Sequence, residues 1–335
     1  MLQKTDFPRD LPEFAVEVRG LSKVYRASGR SPAKTALEDV DLAIPRGSLF
    51  GLLGPNGAGK STLINILAGL VIKTSGSASI WGNDIDRQTR AARAAIGIVP
   101  QELNIDPFFT PRELLELQAG LYGVPRRERK TDEILAMLGL SDKANAYSRA
   151  LSGGMRRRLM VAKAMVHFPP VLVLDEPTAG VDIELRQQLW ARVRELNERG
   201  TTVLLTTHYL QEAEELCDTI AIINRGRVIA CEPTPKLLRR LDNKTLQLVL
   251  AQPVDRLPEA LAALGGELIE PQRILFRYRA SASPVPQILA ATQAAGLVVA
   301  DLRTEESDLE DIFLQLTRGD QPAAPGQRSA EPALT

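Results

Sequence analysis

The chain has 335 residues, enough for about two domains, and a chain of this size needs no disulfides or metals as staples. Lys plus Arg and Asp plus Glu both number 41, which argues against a nucleic-acid binder without excluding one. No apolar run approaches the ~18 residues of a membrane helix. Met1–Phe14 lacks a signal-peptide core, and Cys217 and Cys231 are too few for a disulfide framework, so a soluble intracellular chain is expected.

Up to residue 240 or so, short apolar strands alternate with amphipathic helices, the pattern of an α/β protein with a largely parallel sheet. Strands are predicted over Ser48–Leu53, Ile96–Pro100, Val171–Leu174, Val203–Thr206 and Ile220–Asn224. The last three are apolar on successive residues, which suits strands covered on both faces. Between them, Pro111–Tyr122, Arg126–Leu138 and Gly153–Phe168 read as helices of an insertion spanning about 110–168. Phe108 and Phe109 read as core of that insertion, with a partner-facing groove as the alternative. Arg156-Arg157-Arg158 reads as a solvated helix face, with a contact to phosphate or partner as the alternative. His167 reads as structural, and both cysteines as small buried or half-buried residues.

The pattern changes near Leu241–Lys244. Thr245–Leu250 reads as a strand, Leu257–Leu264 as a helix, Gly266–Glu270 and Arg273–Tyr278 as strands, Pro286–Ala295 as a helix, Leu297–Leu302 as a strand and Leu309–Leu316 as a last helix. That order is a ferredoxin-like α+β unit with an extra helix. Gly319–Thr335 is rich in Pro and Ala and is expected to be disordered.

Two segments carry chemistry. Gly54-Pro55-Asn56-Gly57-Ala58-Gly59-Lys60-Ser61-Thr62 fits GxxxxGK[ST], follows a strand and opens a helix. Glycines let the backbone curl so that several N–H groups face one phosphate at a helix N-terminus. Lys60 supplies a point charge to the β- and γ-phosphates, and Ser61 holds Mg²⁺. Val171–Leu174 then runs into Asp175 and Glu176. Asp175 is read as a second Mg²⁺ ligand, and Glu176 as the group that orients and deprotonates the attacking water.

Leu151-Ser152-Gly153-Gly154-Met155, lying between those two segments, resembles the LSGGQ signature of ATP-binding cassette (ABC) ATPases, with Met155 in place of the usual glutamine. The resemblance covers about Phe14–Leu238 and is closest to the ATPase subunits of type-2 exporters. It implies a P-loop NTPase cassette over 14–240, with a mainly parallel core sheet, an antiparallel N-terminal β part and the helical insertion. A small accessory domain over 241–318, ending in Ser307–Phe313, and a tail over 319–335 complete it. It also implies that Gln101 is the Q-loop glutamine that contacts Mg²⁺ and water. Asp182 falls in the D-loop, His208 matches the switch histidine on the γ-phosphate, and Tyr25 stacks on adenine. Ser152, Gly153 and Gly154 would meet the γ-phosphate of an ATP held by a second copy. The implied partners are therefore that second copy and a separate membrane permease, with the chain peripheral on the cytoplasmic side of the membrane and no nucleic acid. The alternative is a soluble ABC-type ATPase of DNA repair or translation; the absence of a heptad run and of a second cassette argues against both.

Overall fold

A computed structural model describes residues 11–27, 32–102, 104–178, 183–207, 209–239, 243–279 and 284–306. The predicted helix over Leu309–Leu316 and the tail over Gly319–Thr335 lie outside the described residues. The chain divides into two compact units, Met1–Leu237 and Leu238–Thr335.

The first unit opens with β1 (Phe14–Tyr25) and β2 (Lys34–Pro45), an antiparallel pair, then β3 (Leu49–Leu53) and α1 (Lys60–Leu67). Next come β4 (Ser75–Ile80), β5 (Asn83–Asp84), α2 (Thr89–Ala94) and β6 (Ile96–Val99). The insertion contributes α3 (Pro111–Leu121) and α4 (Thr131–Met137), and α5 (Gly153–Met165) leads back to the sheet. Then follow β7 (Val171–Asp175), α6 (Ile183–Glu198), β8 (Thr202–Thr206), α7 (Leu210–Leu216), β9 (Thr219–Asn224), β10 (Arg227–Pro233) and α8 (Thr234–Arg239). The predicted helix over Arg126–Leu138 is split: Arg126–Glu128 forms a single 3-10 turn, and α4 starts only at Thr131.

Two sheets result. One is antiparallel, in the order β2-β1-β4-β5; the other has the order β10-β9-β3-β8-β7-β6 and is parallel except at β10. Val171, Val173, Leu204, Ala221 and Ile223 of the parallel sheet join Leu63, Ile66 and Leu67 of α1 and the inner face of the antiparallel sheet in one core. Leu172, Leu174, Val203 and Leu205, alternating with them, are also fully buried, on the face covered by α6 and α7. The continuous apolar runs thus follow from burial on both faces.

Helix α5 is the bridge between insertion and sheet. Its backbone lies so close to β6 that a Cβ on Gly97 would sit 2.3 Å from the Ala164 carbonyl oxygen. Arg156 is exposed, but Arg157 is only 4% exposed and Arg158 is half-buried, so only the first of the three fits a solvated face. Each caps a backbone carbonyl: Arg158 donates to Leu138 at 2.9 Å, and Arg156 to Leu151 at 3.2 Å. Phe108 departs from its core reading. A turn held by the Asp106 carboxylate, which accepts from the Phe108 amide, leaves the ring 70% exposed. Cys217 is buried against Gly51, whereas Cys231, on edge strand β10, is exposed.

The second unit contains β11 (Asn243–Leu250), α9 (Glu259–Ala263), β12 (Gly266–Glu270), β13 (Arg273–Arg279), α10 (Val285–Ala294) and β14 (Val299–Glu306). Its sheet order is β12-β13-β11-β14, antiparallel throughout. Counted from β11, that is 4-1-3-2 read from the other edge, the ferredoxin-like arrangement. Leu246, Leu248, Ile274 and Phe276 form its core with Leu261 and Ile288 of the two helices.

His167, after α5, stacks on Tyr122 with centroids 3.7 Å apart, and its Nε2 lies 3.2 Å from the Ile96 carbonyl oxygen. A carbonyl only accepts, so Nε2 carries the proton, and Nδ1 is buried with no hydrogen-bond partner among the described residues. Burial holds this imidazole below the ordinary histidine value, against the Ile96 hydrogen bond. The folded state therefore binds fewer protons than the unfolded chain as pH falls through that window, and stability drops. Denaturation midpoints between about pH 7.5 and pH 5 should fall for the wild type, and H167Q should flatten this part of the curve. Equal slopes would show that His167 carries none of the dependence.

Candidate active site

The site forms where strands of the parallel sheet end. Leu49–Leu53 is entirely buried, so β3 delivers Gly54 to the carboxyl edge of the sheet. Gly54 must be glycine, because a Cβ would lie 2.3 Å from the Ile223 carbonyl oxygen. Gly59 has a φ of 118°, and its Cβ would meet the Ala36 carbonyl oxygen at 2.7 Å. The loop is therefore pressed into β2 and β9. Lys60 is 6% exposed and folds back over its own loop, donating from Nζ to Gly54 O at 2.6 Å and to Pro55 O at 3.3 Å.

Strand β8 lies between β3 and β7 and organises the acids. Thr206 Oγ1 donates to Asp175 Oδ1 at 2.6 Å and accepts from the Glu176 amide at 3.0 Å. Glu176 is 9% exposed and has a φ of 46°, a left-handed conformation that costs a non-glycine residue about 1 kcal/mol or more. This turn directs the carboxylate toward Gln101, whose Nε2 donates to Oε2 at 2.9 Å. Burial raises the Asp175 carboxyl above its ordinary range, against the Thr206 hydroxyl. Burial lowers the Lys60 ammonium, against the Glu176 and Asp175 carboxylates. Each charge thus needs the other, or an external counter-charge.

A cleft of about 180 Å³ joins these parts. Its lining comprises Asn56–Thr62, Gln101, Glu176, Lys34, Ala36 and Tyr25 at the end of β1. Tyr25 is 40% exposed, with Lys23 Nζ 4.8 Å from its ring centroid. A larger hollow of about 460 Å³ beside α1 and the insertion touches Asp175 but none of the loop residues 54–61. Ser152 caps α5 by accepting from the Met155 amide at 3.2 Å; it and Gly153 are exposed. The signature residues do not line the cleft. Asp182 and His208 lie outside the described residues.

One residue of this region escaped the sequence reading. Glu212 of α7 is 6% exposed and accepts from Thr178 Oγ1 at 3.0 Å and Thr207 Oγ1 at 2.9 Å. It also pairs with Arg186 at 3.2 Å, whose guanidinium lies 4.5 Å from the Tyr209 ring centroid. The segments following β7 and β8 are thus rooted on one carboxylate. An acid amid Gln211 and Glu214 on a short helix gives no sequence signal; only the two threonines, one and three residues past a strand, hint at it.

A glycine loop cradling the N-terminus of α1, with a half-buried Asp175 and a buried Glu176 two strands away, defines a nucleotide-hydrolysing P-loop protein. The family model for ABC transporters matches residues 37–179. A Nod factor export ATP-binding protein I of Ralstonia nicotianae is 36% identical over 90% of this chain and 93% of the relative. A daunorubicin/doxorubicin resistance ATP-binding protein of Streptomyces peucetius is 37% identical over 91% and 93%, and a linearmycin resistance ATP-binding protein of Bacillus subtilis 36% over 85% and 94%. Among solved structures, an ATP-binding subunit of an ABC transporter superposes with a TM-score of 0.61 at 31% identity, over 68% of this chain and 93% of that one. A dimeric ATP-binding cassette in a post-hydrolysis state with ADP and Pi gives 0.58 at 29% identity, over 65% and 98%. The chain belongs to the ABC transporter family, on the branch of the export and drug-resistance ATP-binding proteins. It is an ATP-binding, ATP-hydrolysing subunit.

Removing the Glu212 carboxylate strands two buried hydroxyls and one guanidinium that is partly solvated. E212A should therefore lose about 2–3 kcal/mol of stability, read from the denaturant midpoint at unchanged slope.

Proposed function

We propose that this chain is the motor subunit of an exporter, hydrolysing Mg-ATP as one half of a two-copy site. The observation that carries this reading is the Gln101–Glu176 hydrogen bond at 2.9 Å, facing the cleft that also holds Lys60. In that cleft the amides of the Asn56–Gly59 stretch and the Lys60 ammonium take the β- and γ-phosphates, Thr62 borders the loop, and Tyr25 stacks on adenine. Glu176 takes the proton of the attacking water, and Gln101 holds that carboxylate in line.

The donor set suits a hard cation: the Ser61 hydroxyl, the Asp175 carboxylate and the Gln101 side-chain oxygen are all oxygen ligands, and burial raises the free Asp175 carboxyl. Mg²⁺ held there would neutralise charge on the phosphates. Asp182 and His208 take the D-loop and switch roles implied by the family resemblance.

The exposed cap of α5 supports the two-copy reading. Ser152, Gly153 and Gly154 present a hydroxyl and helix N-terminal amides outward, off the cleft of their own chain, where a second copy's γ-phosphate could use them. ATP binding both surfaces favours the closed dimer, and hydrolysis removes the link. No helix among the described residues is long and apolar enough to cross a membrane. The family resemblance supports delivery of the work to a separate permease, with the chain peripheral on its cytoplasmic side.

E176Q keeps shape and hydrogen bonding but not basicity. It should bind ATP, lower kcat by a factor of about 10²–10⁴ and accumulate an ATP-bound dimer in sedimentation velocity. Wild-type turnover would remove Glu176 from the chemistry. K60A should lose nucleotide binding or turnover in the same assays; unchanged affinity and rate would refute the loop's role.

A further inference from the structure

We infer that Arg157 is a positioning residue for hydrolysis: it fixes the backbone at Gln101 and ties that loop to the signature helix. The inference rests on the reading of Gln101 and Glu176 given above. Arg157 lies in α5, five residues after the cap Ser152. Its Nη1 donates to the carbonyl oxygens of both Pro100, at 3.1 Å, and Gln101, at 2.9 Å. Gln101 in turn spends its side chain on Glu176. One guanidinium nitrogen therefore sets two consecutive carbonyls of the segment from which the glutamine reaches the base.

The energetics single this residue out. Arg157 is 4% exposed, and among the described residues no carboxylate pairs with it and its Nε has no hydrogen-bond partner. Burial works against its charge, yet a guanidinium does not deprotonate in a protein. An apolar side chain would fill the same volume without desolvating a cation. What the cation adds is a directed pair of hydrogen bonds to the carbonyls of Pro100 and Gln101. An apolar residue could hold α5 against β6 but could not fix those carbonyls, and the Gly97–Ala164 approach already seats the other end of the helix. Because the rigid helix carries both Ser152 and Arg157, a displacement of the exposed cap is transmitted to the Gln101 loop.

The test is a double-mutant cycle on the full-length chain, with R157M, Q101A and the pair, reading kcat and KM for ATP and the affinity for a fluorescent ATP analogue. R157M is expected to lower kcat about tenfold, with KM and analogue affinity within about twofold. Q101A is expected to lower kcat as well, and the pair to be no slower than the slower single variant, within about twofold. Full multiplication of the two losses, or R157M within about twofold of wild-type kcat, would overturn the inference. Wild-type kcat in Q101A would overturn the site reading itself, and this inference with it. If R157M does not fold, R157K, which keeps the cation but shortens its reach, enters the same cycle and decides by the same rule.

Discussion

Two adjacent carboxylates at the end of one strand, Asp175 half-buried and Glu176 buried, are the constraint on which the cassette depends. On the proposed reading both act beside phosphate, at a place where water does not fully solvate them. Everything near them offsets that cost. Thr206 bonds Asp175 and the Glu176 amide, Gln101 bonds the Glu176 carboxylate, and Lys60 brings opposite charge from the neighbouring loop. The parallel sheet makes this possible, because β3, β8, β7 and β6 all end on one edge: β7 leads into both acids, and β3, β8 and β6 each supply one partner.

Close backbone approach is the second theme. Gly54 and Gly59 let the phosphate loop lie against β9 and β2, and Gly97 lets α5 lie against β6. These contacts are steric, so no flexible side chain can relax them. They give the loop and the signature helix a common rigid reference in the sheet. Polar clasps are then added where loops leave it, Glu212 under the segments after β7 and β8 and Arg157 under Gln101.

The strands were legible because burial on both faces writes uninterrupted apolar runs such as Val171–Leu174, and the phosphate loop because its glycines and lysine sit in a fixed context. The second unit was legible through alternation: Ile274, Phe276 and Tyr278 announce one buried face of β13. Arg157 was not legible, since a triple arginine reads as solvated and nothing in the residue types says that the middle one turns inward to two carbonyls. Glu212 was hidden for the same reason, as its partners are distant in sequence. Phe108 misled through composition, because an aromatic beside a helical insertion is usually core and here a turn at Asp106 points it outward. Long-range polar bonds have no periodicity, and periodicity is what a single sequence offers.

The outward cap of α5 also has a genetic consequence on the two-copy reading. A lesion at Ser152 would leave its own chain's cleft intact and disable the cleft of the chain opposite. Two different defective alleles, one lacking Lys60 and the other Ser152, would then pair into a dimer with one fully intact site and one doubly broken. Intragenic complementation would reveal which surface each copy lends to its neighbour, without any nucleotide being measured.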